Sequence, residues 1–293
     1  MYHVISNPVS GRGKSNSTSG LIKRYLDEHQ IKYKWYATEF QGHPKEVATD
    51  IDIANPQGGT IIIIGGDGTY NEVINGLGDL NKWKIGLIPA GSGNDLATKL
   101  NLKVKDPIYN LEIILNKEAK PIDYIQINQY RCLNIGGSGI DVDILQRFEK
   151  YKHLRGKFRY LCALFVTLIV FKWYDFKISI DGQPFENKTG FITAICNGSQ
   201  YGGGIKICPI SEVNDGKLNY VFINKIKRYK IIFYLSKLLK GKILKYTKFV
   251  ECKPCEKIIF SSEKDFLFNI DGEIIKDNQF VCNIVKNGIK IFY

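Results

Sequence analysis

The chain has 293 residues, 44% of them hydrophobic, enough for one large domain or two ordinary ones around a substantial core. Its 41 Lys and Arg exceed its 29 Asp and Glu for a formal charge of +12, which draws it to something anionic (phosphate, nucleic acid or acidic lipid) without choosing among them. Seven Cys without framework spacing exclude a disulfide scaffold, and the longest strongly apolar stretch, Tyr160 to Phe171, is far shorter than the roughly 20 residues that cross a bilayer.

In chain order, Tyr2 to Ser6 reads as a strand. Ser19 to Gln30 reads as a helix with Leu21, Ile22, Tyr25 and Leu26 on one face, and Lys32 to Ala37 as a second strand. His43 to Ile53 is helical, Thr60 to Ile64 a buried strand, Tyr70 to Leu77 a helix, Lys84 to Ile88 a strand and Asn94 to Lys99 a helix. This alternation marks parallel strands joined by crossover helices, an α/β lobe ending near Leu115. From Asp123 the texture turns β-rich, with Phe176 to Ile180 before Asp181-Gly182, then Phe191 to Cys196, and Leu218 to Ile223 after Asp215-Gly216. Helical insertions near Phe158 to Trp173 and Tyr229 to Leu239 interrupt a sandwich-like second lobe. No leader pattern opens the chain, and the thiols suit a reduced, cytosolic setting. Cys252 and Cys255 form one CxxC without a second ligand pair, so they read as ordinary thiols at a strand edge rather than half a zinc site.

Three loops follow strands of the first lobe, on the edge where open α/β sheets place ligands. The first, Asn7 to Ser15, ends in a Gly13-Lys14-Ser15 that imitates a Walker A loop, but Pro8 stands where that motif needs glycine. The second, Gly65-Gly66-Asp67-Gly68-Thr69, lets amides approach phosphate at a helix start. An Asp there repels phosphate unless a divalent cation intervenes; the plainer alternative is a turn in which Asp67 caps the following helix. The third, Pro89 to Asp95, repeats the strand-loop-helix pattern and brings a second carboxylate to the same edge. A dinucleotide fingerprint fails, because its third glycine position is Asn71.

These segments, with Gly202-Gly203-Gly204, Pro209, Asp215-Gly216 and Asp271-Gly272-Glu273, resemble the soluble diacylglycerol-kinase family, which includes bacterial lipid kinases and the catalytic domains of sphingosine and ceramide kinases. The resemblance covers nearly the whole chain. It implies an α/β N-terminal lobe of Rossmann-like, NAD-kinase type over residues 1–122 and a β-sandwich, lipid-binding C-terminal lobe over 123–293, with ATP in the cleft between them and the final strands a candidate for returning to the first lobe. By resemblance, Asn7, Pro8, Gly11, Thr38, Gly65, Gly66, Asp67, Gly68, Thr69, Asn71, Glu72 and Ser92 line the nucleotide, ATP being the phosphoryl donor. Asp67, Asp95 and Asp123 form an aspartate network holding catalytic Mg2+ through water, and Glu212, Asp215 and the Lys217 carbonyl match a loop for a structural Mg2+. Arg12 and Lys14 are further candidates for phosphate contact. NAD kinases share the Gly-Gly-Asp-Gly loop and are the alternative with a small-molecule acceptor.

Transfer to a lipid hydroxyl is helped by a carboxylate that takes its proton. Asp271 and Glu273, two apart on a segment read as extended, would present both side chains on one face of the cleft; the plainer alternative is an Asp271-Gly272 hairpin turn followed by a solvent-facing Glu273. From Lys225 to Lys248 nine Lys and Arg and no acid are interleaved with an apolar helix, which suits peripheral attachment at the inner face of the membrane. Arg155, Lys157 and Arg159 form a second basic cluster ahead of Tyr160 to Phe171. A basic nucleic-acid-binding protein is the rival from another class, and it leaves the ordered Gly-Asp loops unexplained. Family members often self-associate, so a homodimer is an expectation by resemblance.

Overall fold

The computed structural model describes residues 1–151 and 156–293, apart from the side chains of Arg12, Glu149 and 156–161. The first lobe alternates β1 (Tyr2–Ser6), α1 (Lys14–Glu28), β2 (Tyr33–Ala37), α2 (His43–Ala54), β3 (Gly59–Gly65), α3 (Asp67–Gly76), β4 (Trp83–Pro89), α4 (Asp95–Lys99) and α5 (Pro107–Asn116). Its four strands are parallel in the order β2-β1-β3-β4. Strand β3 is the four-isoleucine run, fully buried as a central parallel strand requires, and its Ile61 to Ile64 meet α-helical side chains on both faces.

The second lobe comprises β5 (Lys120–Ile127), β6 (Tyr130–Cys132), β7 (Ile135–Gly139), α6 (Ile140–Lys150), α7 (Gly156–Val170), β8 (Tyr174–Ile180), β9 (Glu186–Cys196), β10 (Leu218–Asn224), α8 (Ile231–Leu239), β11 (Val250–Cys255), β12 (Lys257–Ile270) and β13 (Glu273–Ile291). These antiparallel strands form a β-sandwich-like unit around Phe222, Phe260, Phe268 and Phe280. Strand β13 leaves it again: its Lys290 and Ile291 pair in parallel with Lys84 and Ile85 of β4, so the two lobes share a continuous hydrogen-bonded path. The bend lies between Val285 and Ile289, where Asn287 takes φ +52° and donates its amide to Asp123 Oδ1 at 2.7 Å.

Several boundaries differ from the reading of the sequence. Helix α1 starts at Lys14, not Ser19: its polar first turns are buried against the sheet, with Ser19 Oγ 2.6 Å from Ser6 Oγ, and Leu21 points outward while Ile22 and Leu26 carry the core face. Helix α3 starts at Asp67, so the glycine loop itself is the first turn of the helix. Helices α5 and α6 were not foreseen. Cys252 and Cys255 sit three apart on β11 and therefore face opposite sides; Cys252 Sγ lies 4.0 Å from Cys208 Sγ, while Cys255 is buried in the sandwich core. Among the described residues no helix is long and apolar enough to cross a membrane.

Candidate active site

A cavity of about 410 Å³ opens where β1, β3 and β4 end. Its wall is largely backbone. A Cβ at Gly91 would stand 2.4 Å from the Gly66 Cα, and one at Gly11 would stand 2.1 Å from the Ala90 carbonyl oxygen, so all three loops touch at positions only glycine can fill. Asn94, in the left-handed region at φ +58°, locks the third loop by accepting from the Gly91 amide at 2.9 Å and donating to the Gly91 carbonyl at 2.8 Å. Asn7, Gly11, Gly66, Asp67, Gly68, Thr69, Glu72 and Ser92 line this cavity. Asn7 donates to Thr69 Oγ1 at 3.1 Å, and its buried Oδ1 has no protein partner. The other expected lining residues stand back from it. Thr38 is buried with its hydroxyl on the Ser6 carbonyl, Asn71 faces Asn75, Gly65 is the last residue of β3, and Pro8 does not reach the lining.

Asp67 does not cap its own helix. Its carboxylate reaches across to the start of α4 and accepts from the Asp95 and Leu96 amides at 3.1 and 3.2 Å. Asp95 in turn accepts from Gln200 Nε2 and from the Gly203 amide, both at 2.8 Å, which ties the second lobe to the cavity. Burial pushes the Asp67 carboxyl above the ordinary range, and the neighbouring Asp95 charge adds to this. Among the described residues no Lys or Arg forms an ion pair with either carboxylate. Two acids without a counter-charge beside a phosphate-sized glycine cradle are the arrangement a divalent cation compensates, and each oxygen keeps a lone pair for a bridging water. The donor set therefore fits Mg2+ held through water.

Asp123 joins neither. Buried at the base of the second lobe, it accepts from the Gly216 and Asn287 amides, each at 2.7 Å, and so fixes the loop of Asp215 and the bend of β13. In that loop Glu212 pairs with Lys99 at 3.0 Å and Asp215 accepts from the Lys217 amide at 3.0 Å. Among the described residues no group of three or more His, Cys, Asp or Glu side chains is placed to hold a metal directly, neither in this loop nor at Asp67 and Asp95, and Glu212 is turned to Lys99.

Asp271 is not extended. It opens the β12–β13 hairpin at φ +49°, followed by Gly272 at φ +100°, and turns its carboxylate onto the Leu133, Asn134 and Ile135 amides at 2.5 to 3.3 Å. The same-face premise for Asp271 and Glu273 therefore fails. Burial holds the Asp271 carboxyl up at about 6 against those three donors. Glu273 opens β13 close enough to Glu72 to raise the Glu72 carboxyl, whose upward shift comes first from burial. Glu72 in turn lines the glycine-built cavity.

Sequence reasoning missed Phe40, Gln41 and Gln200. Phe40 and Gln41 line the cavity at the end of β2, and the exposed Phe40 ring stacks on His43 with centroids 4.7 Å apart. A lone aromatic in the Glu39 to Gly42 loop was the available signal. Gln200 carried none, because its partner Asp95 is 105 positions away. Arg12 and the cluster Arg155, Lys157 and Arg159 lie outside the residues whose side chains are described, and Lys14 is exposed.

An α/β lobe whose glycine loops line a cavity with Asp67, the neighbouring Asp95 held by the second lobe, and a β-sandwich partner are the parts of a two-lobed phosphotransferase. The pattern of the family described as "Diacylglycerol kinase catalytic domain" matches residues 1–127, and that of the "YegS C-terminal NAD kinase beta sandwich-like domain" matches 135–293. The chain belongs to the diacylglycerol-kinase family. It is 29% identical over 278 residues to the diacylglycerol kinase of Bacillus subtilis (strain 168), covering 92% of this chain and 88% of that protein. To the diacylglycerol kinase of Staphylococcus haemolyticus (strain JCSC1435) it is 27% identical, covering 92% and 81%. A solved chain from Bacillus anthracis str. Sterne superposes with TM-score 0.78 at 20% identity, covering 100% of this chain and 96% of that one. A diacylglycerol kinase structure from the same organism gives 0.71 at 18% identity, over 100% and 96%. These likenesses of structure show the fold alone.

Proposed function

We propose that the protein transfers the γ-phosphoryl group of ATP to a hydroxyl of diacylglycerol or a related lipid. The observation that carries this reading is Asp67, uncompensated in a cavity whose walls are glycine backbone, with the equally uncompensated Asp95 hydrogen-bonded to it through its amide. The phosphates lie along the Gly66 to Thr69 and Gly91 to Gly93 loops, with the free amides of the first turn of α3 directed at them. Magnesium bound through water at Asp67 and Asp95 supplies neutralisation of charge on the β and γ oxygens. Asp67 and Asp95 hold their orientation through amides of α4 and of the Gly203 loop, so closure of the two lobes and correct placement of the acids are one event. Asp271 and Glu273 act at the lobe junction, one accepting the proton of the acceptor hydroxyl and the other orienting it. A carboxyl held near 6 retains enough basicity at neutral pH for that role.

The test is transfer of label from γ-labelled ATP to a total lipid extract, with the product identified. Labelled phospholipid formed in a Mg2+-dependent manner is the expected result. ATP consumed with NAD and not with lipid would move the assignment to the alternative acceptor.

A further inference from the structure

Helices that cover a sandwich normally bury one stripe and wet the other, but α7 and α8 are apolar on both sides. In α8, Ile231, Tyr234 and Leu238 form the buried stripe, while Ile232, Phe233 and Leu239 point outward, Ile232 at 70% exposure. In the described part of α7, Ala163 and Thr167 are buried, and Phe165 and Ile169 point away at 64% and 60% exposure. Arg228 joins the end of α7 to the start of α8, donating to the Ile169 carbonyl at 3.2 Å and to the Phe171 carbonyl at 2.9 Å, and the outward residues on either side of this joint are taken together as one ridge. Tyr229, 72% exposed, stands beside that joint.

The charge around this ridge is one-signed. The 24 residues from Lys225 to Lys248 carry nine Lys and Arg and no acid, which is nine of the formal +12 of the chain. Lys237 lies 4.8 Å from the Phe233 ring and Lys225 5.8 Å from the Trp173 ring, so cations flank the apolar side chains rather than standing apart. Trp173 in turn lines a cavity of about 260 Å³ with Phe176, Phe260 and Phe266, and Ser138 lies at the same cavity.

We infer that the α7–α8 ridge is the surface by which the protein seats on an anionic lipid bilayer, with Phe165, Ile169, Ile232 and Phe233 entering the acyl boundary and the lysines of 225–248 on the headgroups. Aliphatic side chains projecting between cations match that interface; a nucleic-acid surface is polar and offers bases nothing to gain from exposed isoleucines. The purpose of such a seat rests on the lipid-acceptor reading above, but its observable does not, because docking is measured without ATP.

The experiment is flotation of the full chain with vesicles of phosphatidylcholine alone or with about a third phosphatidylglycerol, at low and high salt. Binding to the anionic vesicles at least tenfold above the neutral ones, weakened by salt, is expected. Ile232→Asp with Phe233→Asp should reduce it by about tenfold or more, and Lys227→Glu with Lys230→Glu should remove the anionic preference, while melting temperature stays unchanged for these exposed positions. Equal binding to both vesicles, unaltered binding by both variants, or tighter binding to RNA that survives Ile232→Asp would overturn the assignment. A protein that docks but phosphorylates no lipid would leave this surface standing and remove the kinase reading instead.

Discussion

On the first-lobe side of the cleft the binding surface is backbone: Gly11, Gly66 and Gly91 pack main chain against main chain, and a single added methyl would strike an atom that cannot rotate away. The second lobe offers side chains instead, with Asp271 folded over the Leu133, Asn134 and Ile135 amides and Glu273 near Glu72, while the lining of the cavity itself belongs to the first lobe. A surface of the first kind tolerates almost no substitution but needs only a common ligand, the phosphate chain. One of the second kind can change its acceptor without disturbing its partner lobe. On the proposed function this contrast separates where phosphoryl donor and acceptor are read, and it can be broken at either side.

The largest effect is expected at the junction. Asp271→Asn or Glu273→Gln should lower turnover by about two to four orders of magnitude while nucleotide affinity measured by calorimetry changes little. Asp271→Asn also leaves one oxygen to serve three amides, so it should melt earlier, which Glu273→Gln should not. Gly91→Ala comes next: with its Cβ 2.4 Å from Gly66, we expect a loss of about 1–3 kcal/mol in denaturant unfolding together with loss of nucleotide binding, the mark of a backbone-built wall. Phe40→Ala should raise the KM for ATP about three- to tenfold with kcat and stability held, and Phe40→Trp should restore it, if the ring at the β2 end carries the base.

The smallest effect concerns Asp141, at the start of α6, whose carboxyl burial pushes up to about 6 and whose Oδ1 has no partner. Asn269 donates to its Oδ2 at 3.3 Å, and Asp143, hydrogen-bonded by Tyr174, lies beside it. A folded value above the ordinary 3.8 means that unfolding releases a proton, so the stability this group contributes is present below about 4 and lost as pH rises through about 6. Asp141→Asn should flatten that part of the pH–stability curve in chemical denaturation and leave the protein roughly 1–3 kcal/mol more stable at pH 7 relative to the wild-type trend.

Much of the first lobe was legible because its signals are local. Four isoleucines bounded by glycines define β3, and strand-glycine-helix punctuation places the cradle without any partner being known. Two kinds of information were not local. Asp67 and Asp95 could be placed on one sheet edge, but that Asp95 is held by Gln200 and Gly203 depends on how the lobes close. Asp271 reads as extended although Asp-Gly between two strands also signals a hairpin, and it is that left-handed turn which sends the carboxylate onto the Leu133 to Ile135 amides. Composition misplaced the start of α1, since Ser15, Thr18 and Ser19 look like loop residues yet are buried in the helix, Ser19 with its hydroxyl on Ser6 of the sheet. Asn7, Thr69 and Glu72, which the resemblance assigns to the nucleotide, line the cavity, whereas Thr38 and Asn71 serve the architecture beneath it.

On the proposed reading, half-buried Asp67 and buried Asp95, lacking a counter-charge, meet the end of a nucleotide triphosphate in a backbone cradle. Titration calorimetry of ATP with and without Mg2+, on the wild type and on Asp67→Asn, tests it most directly. Tight binding that depends on Mg2+ in the wild type and loses most of that dependence in the variant is the predicted result. Equal affinity with and without the cation in both proteins would contradict it.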